Sequence, residues 1–199
     1  SFAGRYAKHG QGLMIDIGST TCDLIPLVDG QPQAMGKTDP ERLLSGELVY
    51  TGVERSPICA VTPTLPWRGY ACPVAHEVFA TTIDAYVMLG DLAENPKFKF
   101  TADNRPATRE FAHDRLARML CADRTTFSSE DALQAAKAIR EAQLELIGAA
   151  LAKINFRQAT PPSTIVISGR GEFLARRLIA RMKLSAAVIS LHDELGGLV

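Results

Sequence analysis

The apolar positions follow two periods along the chain. Gly12–Ile17 is an apolar, strand-like run that ends in Asp16-Ile17-Gly18-Ser19-Thr20-Thr21. Cys22–Val28 is a second such run, and it leads into the strong turn dipeptide Asp29-Gly30. The two predict a hairpin closed by a Gly/Ser/Thr turn, with Gln31–Lys37 as a third strand. Helical spacing takes over further on. Val74–Leu89 sets Val78, Phe79, Ile83, Tyr86 and Val87 near one face. Pro106–Cys121 opens with proline in its first turn and predicts burial of Phe111, Ala112, Leu116, Met119 and Leu120. A third helix is capped by Ser128 or Ser129, with Glu130 and Asp131 toward the positive end of its dipole. Its stripe runs Ala136, Ile139, Gln143, Leu146, Ile147, Ala150, Leu151, Ile154.

Pro161-Pro162 ends that helical region. The strand Thr164–Ser168, the turn Gly169-Arg170-Gly171, the helix Glu172–Lys183 and the strand Ala186–Leu191 then predict a β-turn-α-β unit with parallel pairing. Residues 38–73 carry no sustained period. Prolines at 40, 57, 63, 66 and 73 and glycines at 46, 52 and 69 punctuate them. This segment predicts an ordered excursion with short strands at Glu47–Thr51 and Ile58–Thr62, of a length usually reserved for function or a small subdomain.

Composition narrows the class. The 199 residues carry 22 basic and 22 acidic side chains, a formal net charge of zero. That balance argues against a nucleic-acid binder or a polybasic membrane-surface protein. The longest unbroken apolar run is Ala85–Leu89, far too short to span a bilayer. Four scattered cysteines, without a C-x-x-C pair, argue against a disulfide scaffold. Cys59, Cys72 and His76 make only a loose metal trio, and buried thiols commonly act as small hydrophobes. The cytoplasm is the expected compartment. The expected partner is a small phosphorylated substrate rather than nucleic acid or membrane, and a homodimer is carried as an expectation.

Two motifs carry chemistry. In Asp16-Ile17-Gly18-Ser19-Thr20-Thr21, backbone N–H and hydroxyl groups converge on an anion, and Asp16 at the strand end suits a Mg²⁺ shell. A plain hairpin turn with a capping aspartate is the competing reading. In Ser168-Gly169-Arg170-Gly171-Glu172, glycines after a strand permit close approach of a ligand to a helix N-terminus. Leu174 stands where a dinucleotide fingerprint needs a third glycine, which argues against NAD; a packing turn is the alternative. Other candidates are Trp67 and Arg68 as a planar cation for diphosphate, with Arg55, Arg105 and Arg109 as further anion contacts. His76 and Glu77, placed on one helix turn, suit acid–base work. For each of these a solvated or packing role is the competing reading, as it is for His113 and Asp114 on a charged helical face.

The early phosphate hairpin and the late strand–G-x-G–helix, separated by helices, match the pattern of one lobe of the actin, sugar-kinase and heat-shock ATPase fold. The chain resembles the hydantoinase/oxoprolinase-like family of tetrahydromethanopterin-linked one-carbon metabolism along nearly its whole length. The resemblance is carried by Ile15–Asp23, Thr51–Pro57, Thr62–Gly69 (T-P-T-L-P-W-R-G), Glu77–Thr82, Thr101–Thr108 (T-A-D-N-R-P-A-T), Leu116–Asp123 and Ser168–Leu174. It implies an α/β fold: an actin-like ATPase (ribonuclease H-like) lobe with a mixed sheet, flanking helices and an inserted α+β subdomain. The implied division is 1–37 as the start of the second lobe, 38–127 as the insertion and 128–199 as the remainder. No D-x-G loop precedes Gly12, so the first lobe is expected to be absent.

The resemblance further implies a transferase of methanofuran-type cofactor biosynthesis. It would join an aminomethylfuran-methyl diphosphate to γ-glutamyltyramine and release diphosphate. On that reading Asp16, Arg68 and Glu77 are catalytic and Gly18, Ser19, Thr20 and Thr21 cradle phosphate. Asp16 and Asp23 hold Mg²⁺, while Ser168–Glu172, Trp67 and Arg105 bind the substrate or a nucleotide-like group. The alternatives are an ATP-dependent kinase or oxoprolinase-like hydrolase, with ATP as the cofactor, and a non-catalytic nucleotide-binding or sensor module.

Overall fold

The computed structural model describes residues 2–157 and 160–196, except for the side chain of residue 156. The chain divides into two compact units, one formed by Ser1–Gly52 with Leu144–Val199 and the other by Val53–Gln143. The sequence alone puts its divisions after residues 37 and 127.

In the first unit, β1 (Gln11–Ile17) and β2 (Cys22–Val28) form the expected antiparallel hairpin. Leu13, Ile15 and Ile17 of β1 and Cys22 and Leu24 of β2 are fully buried, so one face of the hairpin is core. The opposite face carries Asp16 and Asp23, as the period of two requires. Asp29 and Gly30 both take positive φ in the turn that follows, the twist-matched geometry of a two-residue hairpin.

The third strand, β3, covers only Gln31–Pro32 rather than the expected Gln31–Lys37. The cause is Glu47, whose two carboxylate oxygens accept from the N–H groups of Met35 and Gly36 at 2.8 and 2.9 Å. Those donors are therefore lost to a ladder. Next come α1 (Asp39–Ser45), which sequence periodicity did not predict, and β4 (Leu48–Val49), which shortens the expected Glu47–Thr51 strand and pairs with β2.

The second unit begins with α2 (Ile58–Val61), a helical turn where Ile58–Thr62 was expected to be extended. Pro57 enters it at φ −59°, and Ile58 and Val61, three apart, both reach the core. A hairpin of β5 (Thr64–Trp67) and β6 (Tyr70–Pro73) follows, turning at Arg68 and Gly69, both at positive φ.

The helix α3 runs Thr82–Leu89 and not from Val74. The Asp84 carboxylate accepts from the Thr81 N–H at 3.0 Å, which starts the helix there. Val78 and Phe79, expected on its buried face, lie outside it and are exposed. The helix α4 (Arg109–Met119) buries Ala112, Leu116 and Met119 as predicted. Ser128 and Asp131 cap the start of α5 (Ser129–Arg157) reciprocally: Ser128 N donates to Asp131 Oδ2 at 2.9 Å, and Asp131 N donates to Ser128 Oγ at 3.1 Å. Gln143 in its stripe is buried and accepts from the Tyr86 hydroxyl, whereas Leu146 is substantially exposed.

Back in the first unit, β7 (Thr164–Ser168), α6 (Glu172–Arg181) and β8 (Ala187–Ser190) complete the β-turn-α-β unit, and a short α7 (Leu191–Glu194) follows. Among the described residues the sheet has six strands in the order β3-β2-β1-β7-β8, with β4 also on β2. β7 is parallel to β1 and to β8. The result is a mixed α/β sheet with helices and an inserted α+β unit, in line with the expected class.

The second unit is tied by charge as well as by its apolar clusters. Arg115 is fully buried and pairs with Asp84 at 2.7 Å and Asp103 at 2.9 Å. Removing one partner from a buried ion pair strands the other charge, so Arg115→Ala should destabilise the protein by about 3–5 kcal/mol. Urea unfolding of the variant against wild type measures this.

Candidate functional site

Sheet register assembles the site in the first unit. Asp16 stands opposite Asp23 in the antiparallel β1–β2 pair and opposite Ser168 in the parallel β1–β7 pair. The three therefore share one end of the sheet, where two polar turns also meet. The first turn is closed by Gly18 N donating to Thr21 O at 2.9 Å, with the Ser19 and Thr20 hydroxyls 3.3 Å apart. The second runs from Ser168 through Gly169, Arg170 and Gly171 into α6, and its Gly171 N–H donates to Ile17 O at 2.8 Å.

Two glycines let backbone approach where no side chain fits. Gly169 has φ +86°, and a Cβ there would lie 2.4 Å from Ile17 O and 2.5 Å from Asp16 Oδ1. A Cβ on Gly52 would lie 2.4 Å from Thr20 N, 2.5 Å from Ser19 C and 2.6 Å from Gly18 O. Gly52 therefore backs the hydroxyl turn directly. Sequence reasoning placed it in a family-like run without a role, and its only sequence signal was a glycine next to a threonine.

Electrostatics distinguish the two aspartates. Asp23 pairs with Arg42 of α1. Among the described residues no cationic side chain pairs with Asp16. Burial raises the Asp16 carboxyl above the ordinary carboxylate range; the nearby Ser168 hydroxyl opposes this, and the charges of Asp23 and Glu172 reinforce it. The Ser168 Oγ itself is buried with no partner in hydrogen-bond geometry. Glu172 is held in place, its Oε2 accepting from Ser190 Oγ at 2.6 Å and its Oε1 from His192 N at 3.4 Å. Beside it opens a cleft of about 450 Å³ lined by Ser168, Gly169, Arg170, Glu172, Leu191 and His192.

The family model for hydantoinase/oxoprolinase matches residues 2–195. The chain belongs to the hydantoinase/oxoprolinase family. Two curated relatives bear the name (4-{4-[2-(γ-L-glutamylamino)ethyl]phenoxymethyl}furan-2-yl)methanamine synthase. The one from Methanococcus vannielii is 30% identical over 92% of this chain and 82% of its own length. The one from Methanocaldococcus jannaschii is 33% identical over 92% of this chain, which spans only 54% of that relative. Among solved structures, a ROK family protein from Streptococcus pneumoniae TIGR4 in complex with sucrose aligns at TM-score 0.36 and 10% identity, over 97% of this chain and 58% of the other.

In this family member the remaining candidates lie in the second unit. Trp67 and Arg68 form the tip of the β5–β6 hairpin, with the guanidinium 4.5 Å over the indole and its Nη2 donating to Thr126 O at 3.3 Å. Arg105 donates to Asp103 and Asp114 at 2.7 and 2.8 Å and stacks on Phe111. Arg109 Nε donates to Val87 O at 3.2 Å. His76 and Glu77 are exposed in the loop ahead of α3, not on a helix turn. His113 bonds Phe127 O through Nε2 at 2.7 Å, and Asp114 accepts from Arg105 and Arg124. Among the described residues no three or more His, Cys, Asp or Glu side chains are grouped to hold a metal ion, and no helix is long and apolar enough to cross a membrane.

A carboxyl whose folded pKa is raised costs stability while ionised, and that cost disappears as pH falls through the raised value toward the unfolded one near 4. Asp16→Asn should therefore raise the melting temperature at pH 7–8, with the gain shrinking on acidification. Thermal melts across pH measure it. Gly169→Ala meets both positive φ and two sub-contact distances, and should cost roughly 2–3 kcal/mol in chemical denaturation.

Proposed function

We propose that this protein is a transferase that forms an aryl ether from a furan-methyl diphosphate and the phenol of γ-glutamyltyramine. The observation that carries the reading is a hydroxyl turn set beside a carboxylate with which no cationic side chain among the described residues pairs. The relatives' name supports it, since the product it describes contains a phenoxymethyl ether. Making that bond requires the phenol oxygen to attack the furan methylene carbon. The carbon–oxygen bond to diphosphate breaks, diphosphate leaves with the electron pair, and the phenolic proton passes to a base.

In this proposal Gly18, Ser19, Thr20 and Thr21 donate to the diphosphate oxygens, where charge develops as the bond breaks. The donor set fits Mg²⁺, a hard cation that takes one or two carboxylates and completes its shell with phosphate oxygens and water. Asp16 and the orphaned Ser168 hydroxyl are of that kind, whereas Asp23 is already held by Arg42. Bound there, Mg²⁺ would supply further neutralisation of the leaving group. The cleft beside Gly169 would take the organic part of the substrate, with Arg170 and Glu172 at its wall. Trp67, Arg68 and Glu77 belong to the second unit and are given no part in this step.

Incubating the protein with the furan-methyl diphosphate, γ-glutamyltyramine and Mg²⁺ should release pyrophosphate and form the ether. A Ser19→Ala/Thr20→Ala double variant should lower kcat by roughly 10²–10³-fold, the scale of losing aimed donors at a developing anion. Ether formation at the wild-type rate in that variant would remove the turn from the mechanism. Hydrolysis of ATP in place of ether formation would point to an ATP-dependent enzyme of the same fold.

A further inference from the structure

Two carboxylates directly across a strand pair, at the mouth of a turn that receives phosphate, create an electrostatic difficulty. Each ionised group within a few ångströms repels the incoming oxygens. The chain treats its two aspartates differently. Arg42 donates through Nη2 to Asp23 Oδ1 in a partly buried ion pair and lies 3.7 Å from Asp39 Oδ1, while Asp16 has no such partner among the described residues.

Several backbone contacts aim Arg42. Its N–H donates to Thr38 O at 2.9 Å, and Glu41 Oε2 accepts from the N–H groups of Lys37 and Thr38 at 2.7 and 3.0 Å, fixing the start of α1. The strap before the helix runs flush against the arginine stem, where a Cβ on Gly36 would lie 2.6 Å from both Arg42 N and Arg42 Cγ. No residue of α1 is buried. Apolar packing therefore does not hold this helix in place, and the polar contacts around Arg42 take that role.

We infer that Arg42 is a positioning residue for the anion turn. It cancels the Asp23 charge, so that of the facing Asp16–Asp23 pair only Asp16 meets a diphosphate without a cationic partner. Arg42 acts through Asp23 and need not touch the ligand. The inference rests on the anion-site reading proposed above.

Calorimetric titration with inorganic pyrophosphate in excess Mg²⁺ tests both and separates them. Wild type should bind. Arg42→Gln should bind about tenfold more weakly or worse, because it exposes the Asp23 charge, and Arg42→Lys should retain most of the affinity. The double variant Asp23→Asn/Arg42→Gln deletes the charge together with its partner and should return to within about threefold of wild type. A double variant as weak as Arg42→Gln would mean that Arg42 serves only to hold α1, and would overturn the inference. So would undiminished binding by Arg42→Gln. Absence of pyrophosphate binding by wild type would overturn the anion-site reading itself, and the Arg42 inference with it.

Discussion

The parallel pairing of β7 with β1 is the constraint on which the site depends. β1 already carries β2 on its other side, so its C-terminal end lies between an antiparallel neighbour and a parallel one. Residue 16 is thereby fixed opposite residue 23 on one flank and residue 168 on the other. A slip of one residue in either ladder would turn every side chain of that strand to the wrong face. The fully buried Leu13, Ile15 and Ile17 prevent that slip. The apolar face of β1 therefore does more than fill the core, because it keeps Asp16 in register with both turns.

Sequence pattern revealed most of this unit because its signals are local. Alternating residues mark the β1–β2 hairpin, Asp29-Gly30 marks its outer turn, and the strand–G-x-G–helix run marks the late unit. Both polar turns were visible as motifs for the same reason. The missed elements share a different cause. α1 has a proline near its start and a left-handed Gly46 at its end, but no buried face and so no apolar stripe to read. The β5–β6 hairpin is interrupted by Pro66, which a two-stranded ribbon tolerates because its strands are edges. The premature start assigned to α3 came from apolar Val78 and Phe79, which the structure leaves in solvent. At the site, Gly52 and Arg42 were not legible because each acts through space on a turn far away in sequence.

The runs that make the resemblance most specific have an architectural explanation. In Thr101–Thr108, Asp103 accepts from Arg105 and Arg115, Thr101 Oγ1 donates to Arg105 O, and Pro106 O accepts from Arg115 Nη2. Thr101, Asp103 and Arg105 of that run thus join a network around one buried arginine. The Pro-Trp-Arg-Gly portion of the other run is the tip of a hairpin. Strong family signal and direct chemistry need not coincide, and here the contacts of the first run are internal to its own unit.

Gly52 has a second property besides its bare Cα. It ends the first of the two segments that make up the sheet unit, and Val53 opens the other unit. One of the two covalent connections between the units therefore leaves from the residue whose Cα abuts Gly18–Thr20. Grafting, shortening or circularly permuting the chain at this junction would disturb the backbone that supports the hydroxyl turn, so the insertion is not a freely exchangeable module.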